Sequence, residues 1–94
     1  MKVEQLINDS GNSTNNHVVV TNNGLRTFYS YGTPICEKNL KTNVLTIGKE
    51  YRHSKTTMKH LCIYLRDYEG KNVHSIKNVD QLIERGEVKY TKCW

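Results

Sequence analysis

The stretch Tyr51-Arg-His-Ser-Lys-Thr-Thr-Met-Lys-His-Leu-Cys-Ile-Tyr-Leu65 holds a helix start, a phased apolar stripe and the densest basic cluster of the chain. Ser54 is placed to cap a helix, because its hydroxyl can accept a bond from a backbone N–H of the first turn that has no partner within the helix. Met58, Leu61, Cys62 and Leu65 follow at i, i+3, i+4 and i+7, the spacing of one helix face. Lys55, Lys59 and Arg66 fall largely outside that stripe. Gly70 is a suitable stop, since it tolerates the left-handed conformation that closes many helices.

Upstream of this helix the pattern changes from a helical to a strand period. His17 to Asn22 and Leu25 to Tyr31 are rich in β-formers and are separated by Asn23-Gly24. Asn-Gly favours a type I′ turn, which needs positive φ at both central residues. A two-residue turn sets the register: Asn22 opposite Leu25, Val20 opposite Thr27 and Val18 opposite Tyr29. Val19 then meets Phe28 on the other face, and Thr21 meets Arg26. Successive strand residues point to opposite faces, so Phe28 opposes Tyr29 and Tyr31, and the expectation is that the two tyrosines face the core. Gly32-Thr33-Pro34 interrupts the chain. Ile35 to Lys38 reads as a third strand and Val44 to Ile47 as a fourth, ended by Gly48.

Downstream, Asn78 as cap, Val79, Leu82 and Ile83 as an apolar edge, and Gly86 as stop indicate a second, shorter helix. Glu87 to Trp94 alternates and reads as a last strand. Met1 to Ile7 fits either a short helix or an edge strand, and Asn8 to Asn16 is a polar loop. The expected organisation is a flexible lead-in over residues 1–16 and a single α+β domain over residues 17–94. That domain would carry a mostly antiparallel sheet of about four to five strands, one main helix and one short one.

A chain of 94 residues forms one small domain with a modest core. No apolar run approaches the roughly 20 residues of a membrane span, and the N-terminus lacks the pattern of a secretory signal. The cysteines Cys36, Cys62 and Cys93 are odd in number and widely spaced, which argues for a reducing compartment and against a disulfide framework. A cytoplasmic location is expected. The formal net charge is +5, and the excess is local. Residues 1–24 carry −1, residues 25–66 carry +6, and residues 67–94 carry five charges of each sign. A basic middle of this kind suits nucleic acid or an acidic protein surface; the plainer alternative is a solvated face that aids solubility.

Chemistry is harder to find. His53 and His60 have no Cys, Asp or Glu at ligand spacing, so no metal and no cofactor is expected. Cys36 near Lys38 is the one thiol that could sit in a basic, partly exposed setting; Cys62 lies on the apolar stripe. The glycines stand apart at turns and caps, unlike a phosphate-cradling loop. No catalytic residue is assigned, and a non-enzymatic protein is expected. Binding is what remains. Arg26, Tyr51, Arg52, Lys55, Thr56, Lys59 and Arg66 are the candidate binding residues: cations to neutralise an acidic partner, an aromatic ring to stack or dock, and a hydroxyl at a helix N-terminus to hydrogen-bond an anion.

The run Phe28-Tyr29-Ser30-Tyr31-Gly32-Thr33-Pro34-Ile35, a strand near Val44 to Ile47, and then Tyr51-Arg52-His53-Ser54-Lys55-Thr56-Thr57-Met58-Lys59 form a familiar order. It resembles a group of small uncharacterised proteins encoded by bacteriophages and mobile elements. Those proteins place a Ser-Tyr-x-Thr-x-Ile strand before a Tyr-Ser-x-Thr-Thr-x-Lys helix start. Asp80 to Val88 resembles their closing helix, glycine and strand. The likeness spans about residues 17–92 and departs at Arg52-His53, where the relatives more often have an aromatic or acidic residue. It transfers no active site. The resemblance implies a phage-type accessory protein, working in the host cytoplasm, that binds and inhibits a host protein or ribonucleoprotein complex, an anti-CRISPR or anti-restriction role being its sharpest form. The alternative expectation is a small basic DNA- or RNA-binding protein.

Overall fold

The computed structural model describes residues 1–7, 11 and 13–92, with backbone alone for residues 13–15. Its elements are β1 (Lys2–Ile7), β2 (Ser13–Asn22), β3 (Leu25–Ser30), β4 (Thr33–Asn39), β5 (Val44–Gly48), a 3₁₀ turn (Lys49–Arg52), α1 (Lys55–Glu69), α2 (Ile76–Glu84) and β6 (Lys89–Thr91). The strands make one sheet in the order β1-β2-β3-β4-β5-β6. The first five pair antiparallel to their neighbours, and β6 joins β5 in parallel after the two helices have crossed over. The α+β class holds, with six strands in place of four to five.

The first hairpin forms in the register that Asn23-Gly24 dictates. Asn23 has φ 52° and Gly24 φ 80°, and Val18, Val19 and Val20 lie opposite Tyr29, Phe28 and Thr27. The positive φ pair matches the turn to the right-handed twist of the strands. A second tight turn at Tyr31-Gly32, with φ 51° and 79°, joins β3 to β4.

The helices cover one face of the sheet. Val19, Phe28, Ile35, Cys36, Leu45 and Ile47 from the strands pack with Leu61, Cys62, Ile63, Tyr64 and Leu65 of α1, and with Val73, Val79 and Leu82 around α2. Phe28 stacks on Tyr64 with centroids 5.4 Å apart, and Tyr64 stacks on Tyr68 at 5.2 Å. The helix α1 buries a broader face than its stripe indicates, because His60, Ile63 and Tyr64 are buried beside Leu61, Cys62 and Leu65.

Several expectations are corrected. Residues 2–7 are an edge strand and part of the domain: Leu6 is buried under the helical layer, and β1 pairs with β2. The sheet likewise includes Ser13 to Asn16, so the domain does not begin at His17; residues 8–10 and 12 lie outside the described residues. Polar side chains do not prevent a strand whose backbone pairs, as Ser13 does opposite Ile7 of β1. The tyrosines are not the core pair. Phe28 is fully buried, Tyr29 lies on the opposite, uncovered face, and Tyr31 is 56% exposed in its turn. Volume decides this: Phe28 fills the space above Tyr64, whereas a phenol there would need a partner for its hydroxyl. Asn78 is not the cap of α2. Ser75 is the cap, and Asn78 in the first turn accepts N–H bonds from His74 (3.0 Å) and Ser75 (3.3 Å). The last strand is shorter than its pattern, covering Lys89–Thr91, and Cys93 and Trp94 lie outside the described residues.

Candidate partner-docking groove

The helix α1 starts where its sequence says. The Ser54 hydroxyl accepts the Thr57 N–H at 3.1 Å, and the Ser54 and Thr57 hydroxyls bond at 3.1 Å. The Thr57 hydroxyl also meets Ser30 of β3 at 2.8 Å in a buried contact, which fixes the helix N-terminus against the sheet. At the far end Gly70 adopts φ 65°, the left-handed conformation, and its N–H closes on the Leu65 carbonyl. The chain then runs back, with Val73 buried as an anchor, to start α2 at Ser75.

This reversal brings the start of α2 against the outer face of α1. Between them lies an open groove of about 260 Å³, lined by Lys55, Met58, Lys59, Cys62 and Arg66 of α1 and by His74, Ser75 and Ile76. Its walls carry the cations and its floor is apolar. Lys55 and Lys59 stand one helical turn apart and both are exposed. Arg66, half-buried, bonds back to the Cys62 carbonyl at 3.4 Å, which holds the guanidinium beside the floor. Met58, Cys62 and Ile76 supply the apolar surface. Burial pushes the Cys62 thiol up, against the pull of Arg66, so it stays a neutral, apolar contact. The start of α2 adds the positive end of a helix dipole.

The structure divides the seven candidate binding residues. Lys55, Lys59 and Arg66 come together in the groove. Thr56 is exposed in the first turn, and its carbonyl accepts the His60 Nδ1–H at 2.8 Å. The other three are engaged within the fold. Tyr51 donates to Asp80 of α2 at 2.8 Å, and Arg52 pairs with the same carboxylate while lying over the Tyr51 ring. That cluster ties the 3₁₀ turn to α2. Arg26 reaches from β3 to Glu69 at 2.8 Å and to the Tyr68 carbonyl at 3.0 Å. Glu69 also takes Lys38 at 2.9 Å and the Tyr64 hydroxyl at 2.6 Å. The Glu69 side chain is 1% exposed. Burial alone would raise its pKa, but the bonds from Tyr64, Arg26 and Lys38 outweigh burial and hold it below the ordinary carboxylate value. Arg26 is thus a half-buried counter-ion to Glu69, engaged within the fold.

The basic, partly exposed setting that Lys38 could have given Cys36 is also absent. The residue is fully buried, and burial raises its thiol well above the ordinary range. Among the described residues no group of three or more His, Cys, Asp or Glu side chains is placed to hold a metal ion, and no helix is long and apolar enough to cross a membrane.

The model of a family of unknown function, DUF8033, matches residues 1–81. The chain belongs to that family. The match includes β1, in agreement with its place in the sheet, and it covers both walls of the groove. No curated protein and no solved structure matches the chain.

Sequence reasoning on this DUF8033 member missed the floor of the groove. Met58 and Cys62 read only as core residues of α1, and Ile76 and His74 precede the cap assigned to α2. Ser75 followed by Asn78 was the available signal, since a Ser with an amide side chain three residues on resembles a capping box.

Proposed function

We propose that this protein is a non-enzymatic binding protein that docks on an acidic surface of a macromolecular partner through α1 and the α1–α2 groove. The observation that carries this reading is the pairing of Lys55, Lys59 and Arg66 with an apolar floor of Met58, Cys62 and Ile76. Cations that converge on apolar surface suit a protein patch in which carboxylates surround an apolar anchor. Phosphodiester backbone offers the charge without the anchor. In its most specific form the partner is a host protein or ribonucleoprotein machine that this phage-type protein inhibits by occlusion, as in an anti-CRISPR or anti-restriction role. The resemblance to small phage and mobile-element proteins supports that form by association.

The test has two arms. Capture from a host lysate with the wild type and with Lys55→Glu/Lys59→Glu identifies the partner: the charge-reversed protein should lose it while keeping its fold. Anisotropy titration with duplex and single-stranded probes at two ionic strengths tests the nucleic-acid alternative, which requires a steep fall in affinity with salt. Strong, salt-sensitive probe binding that the double reversal abolishes would replace a protein partner with nucleic acid. Full capture by the reversed protein at low salt removes the groove from the reading.

A further inference from the structure

We propose that β1 is a self-complementary edge through which two copies of this chain pair antiparallel into one continuous sheet. The strand is the terminal one of the sheet, so along its first residues, Lys2 to Glu4, the outer edge faces no described strand. Three exposed apolar side chains cluster along this short stretch: Met1 at 88%, Val3 at 57% and Ile7 at 49%. Val3 faces the uncovered side of the sheet, opposite Val20, which in turn lies opposite Thr27.

Charge selects both the partner and the register. Lys2 and Glu4 flank Val3 on the helical side of the sheet, 3.7 Å from each other within the chain. An antiparallel pairing centred on Val3 sets Lys2 of each copy opposite Glu4 of the other, and Val3 opposite Val3. Shifting the centre to Glu4 sets like charges face to face, which is unfavourable for cross-strand neighbours. In the favoured register the apolar rows join, so Val20-Val3 of one copy continues into Val3-Val20 of the second. The irregularity between Gln5 and Ile7 limits the pairing to the first part of the strand. A two-fold edge of this size makes a weak, concentration-dependent dimer. Edge lysines commonly oppose pairing. Here Lys2 has a complementary Glu4 two residues away, so the edge attracts its own copy.

Sedimentation equilibrium across protein concentrations up to about 1 mM reads the association directly. The wild type is expected to dimerise, and Lys2→Glu to weaken dimerisation by about tenfold or more, since both cross-strand pairs become repulsive. The exchange Lys2→Glu/Glu4→Lys restores both pairs and should recover the wild-type affinity. Val3→Lys, which places two like charges at the centre on the uncovered face, should be monomeric with an unchanged far-UV spectrum. A wild type that stays monomeric throughout the range overturns the proposal. So does a Val3→Lys protein as dimeric as the wild type, or a folded exchange variant no better than Lys2→Glu.

Discussion

His60 of α1 lies face to face on His17 of β2, with ring centroids 3.8 Å apart and planes within 10°. The Tyr31 ring closes the stack edge-on to His17 at 5.1 Å. Both histidines are buried, at 7% and 2% exposure. His60 donates through Nδ1 to the Thr56 carbonyl, and its buried Nε2 has no hydrogen-bond partner among the described residues. Two stacked imidazoles tolerate one another while neutral and repel when both are charged. Burial, and then the charge of His60, lower the His17 pKa from 6.5 to about 4.

The pH dependence of stability follows from that shift. Between pH 6.5 and about 4 the unfolded chain holds a proton on this residue that the folded chain does not. The contribution is therefore fully present above pH 6.5, declines as pH falls through this window and levels off below it, reaching at most about 3 kcal/mol. Urea unfolding at half-unit pH steps should show the decline in wild type and a shallower one in His17→Phe. Equal slopes in the two proteins would rule out the stack as its source.

Glu69 is expected to matter for stability far more than a surface carboxylate. Replacing it with Ala strands Arg26, Lys38 and the Tyr64 hydroxyl at the buried end of α1, and loss of one partner of a buried ion pair costs about 3–5 kcal/mol. Arg26→Ala should be destabilising for the same reason and leave capture of a partner intact in the folded fraction. Chemical denaturation measures the first; pull-down at matched folded concentration checks the second.

The start of α1 gives a graded pair of variants. Ser54→Ala removes the helix cap, at about 1 kcal/mol. Thr57→Val removes a fully buried hydroxyl and leaves Ser30 Oγ without its 2.8 Å contact, at about 1–3 kcal/mol. Thermal melts should rank Thr57→Val below Ser54→Ala, and a reversed order would mean that the cap outweighs the link to the sheet.

Groove residues should behave in the opposite way. Lys55 and Lys59 are exposed, so Lys55→Glu/Lys59→Glu should melt close to wild type. Association with an acidic partner should slow, and the salt dependence of its rate should flatten. Stopped-flow or surface-based kinetics at two ionic strengths reads this. Ile76→Ala, at the apolar floor, should act mainly on the dissociation rate.

Much of the fold was legible because local chemistry governs it. Asn23-Gly24 set the hairpin register to the residue, and Ser54 and Gly70 bounded α1. The misreadings share a cause. Ser13 to Asn16 carry polar side chains, yet their backbone joins a strand stabilised by neighbours distant in sequence. Tyr29 was expected in the core, but Phe28 takes that place because Tyr64 supplies a ring to stack on. At the candidate site Lys55, Lys59 and Arg66 were visible as charges one or two turns apart, whereas Arg26 and Arg52 carry the same charge and are spent on Glu69 and Asp80.

The sequence by itself determined the register of the first hairpin, where α1 begins and ends, and that the positive excess lies in the middle of the chain. The tertiary structure alone decided which cations converge on the groove and which pair across the fold, because those pairings depend on carboxylates brought from 28 and 43 residues away. It alone stacked His17 on His60 and set Ile76 beside Met58 and Cys62. Contacts between distant segments form only when the shared core closes, and no local pattern encodes them.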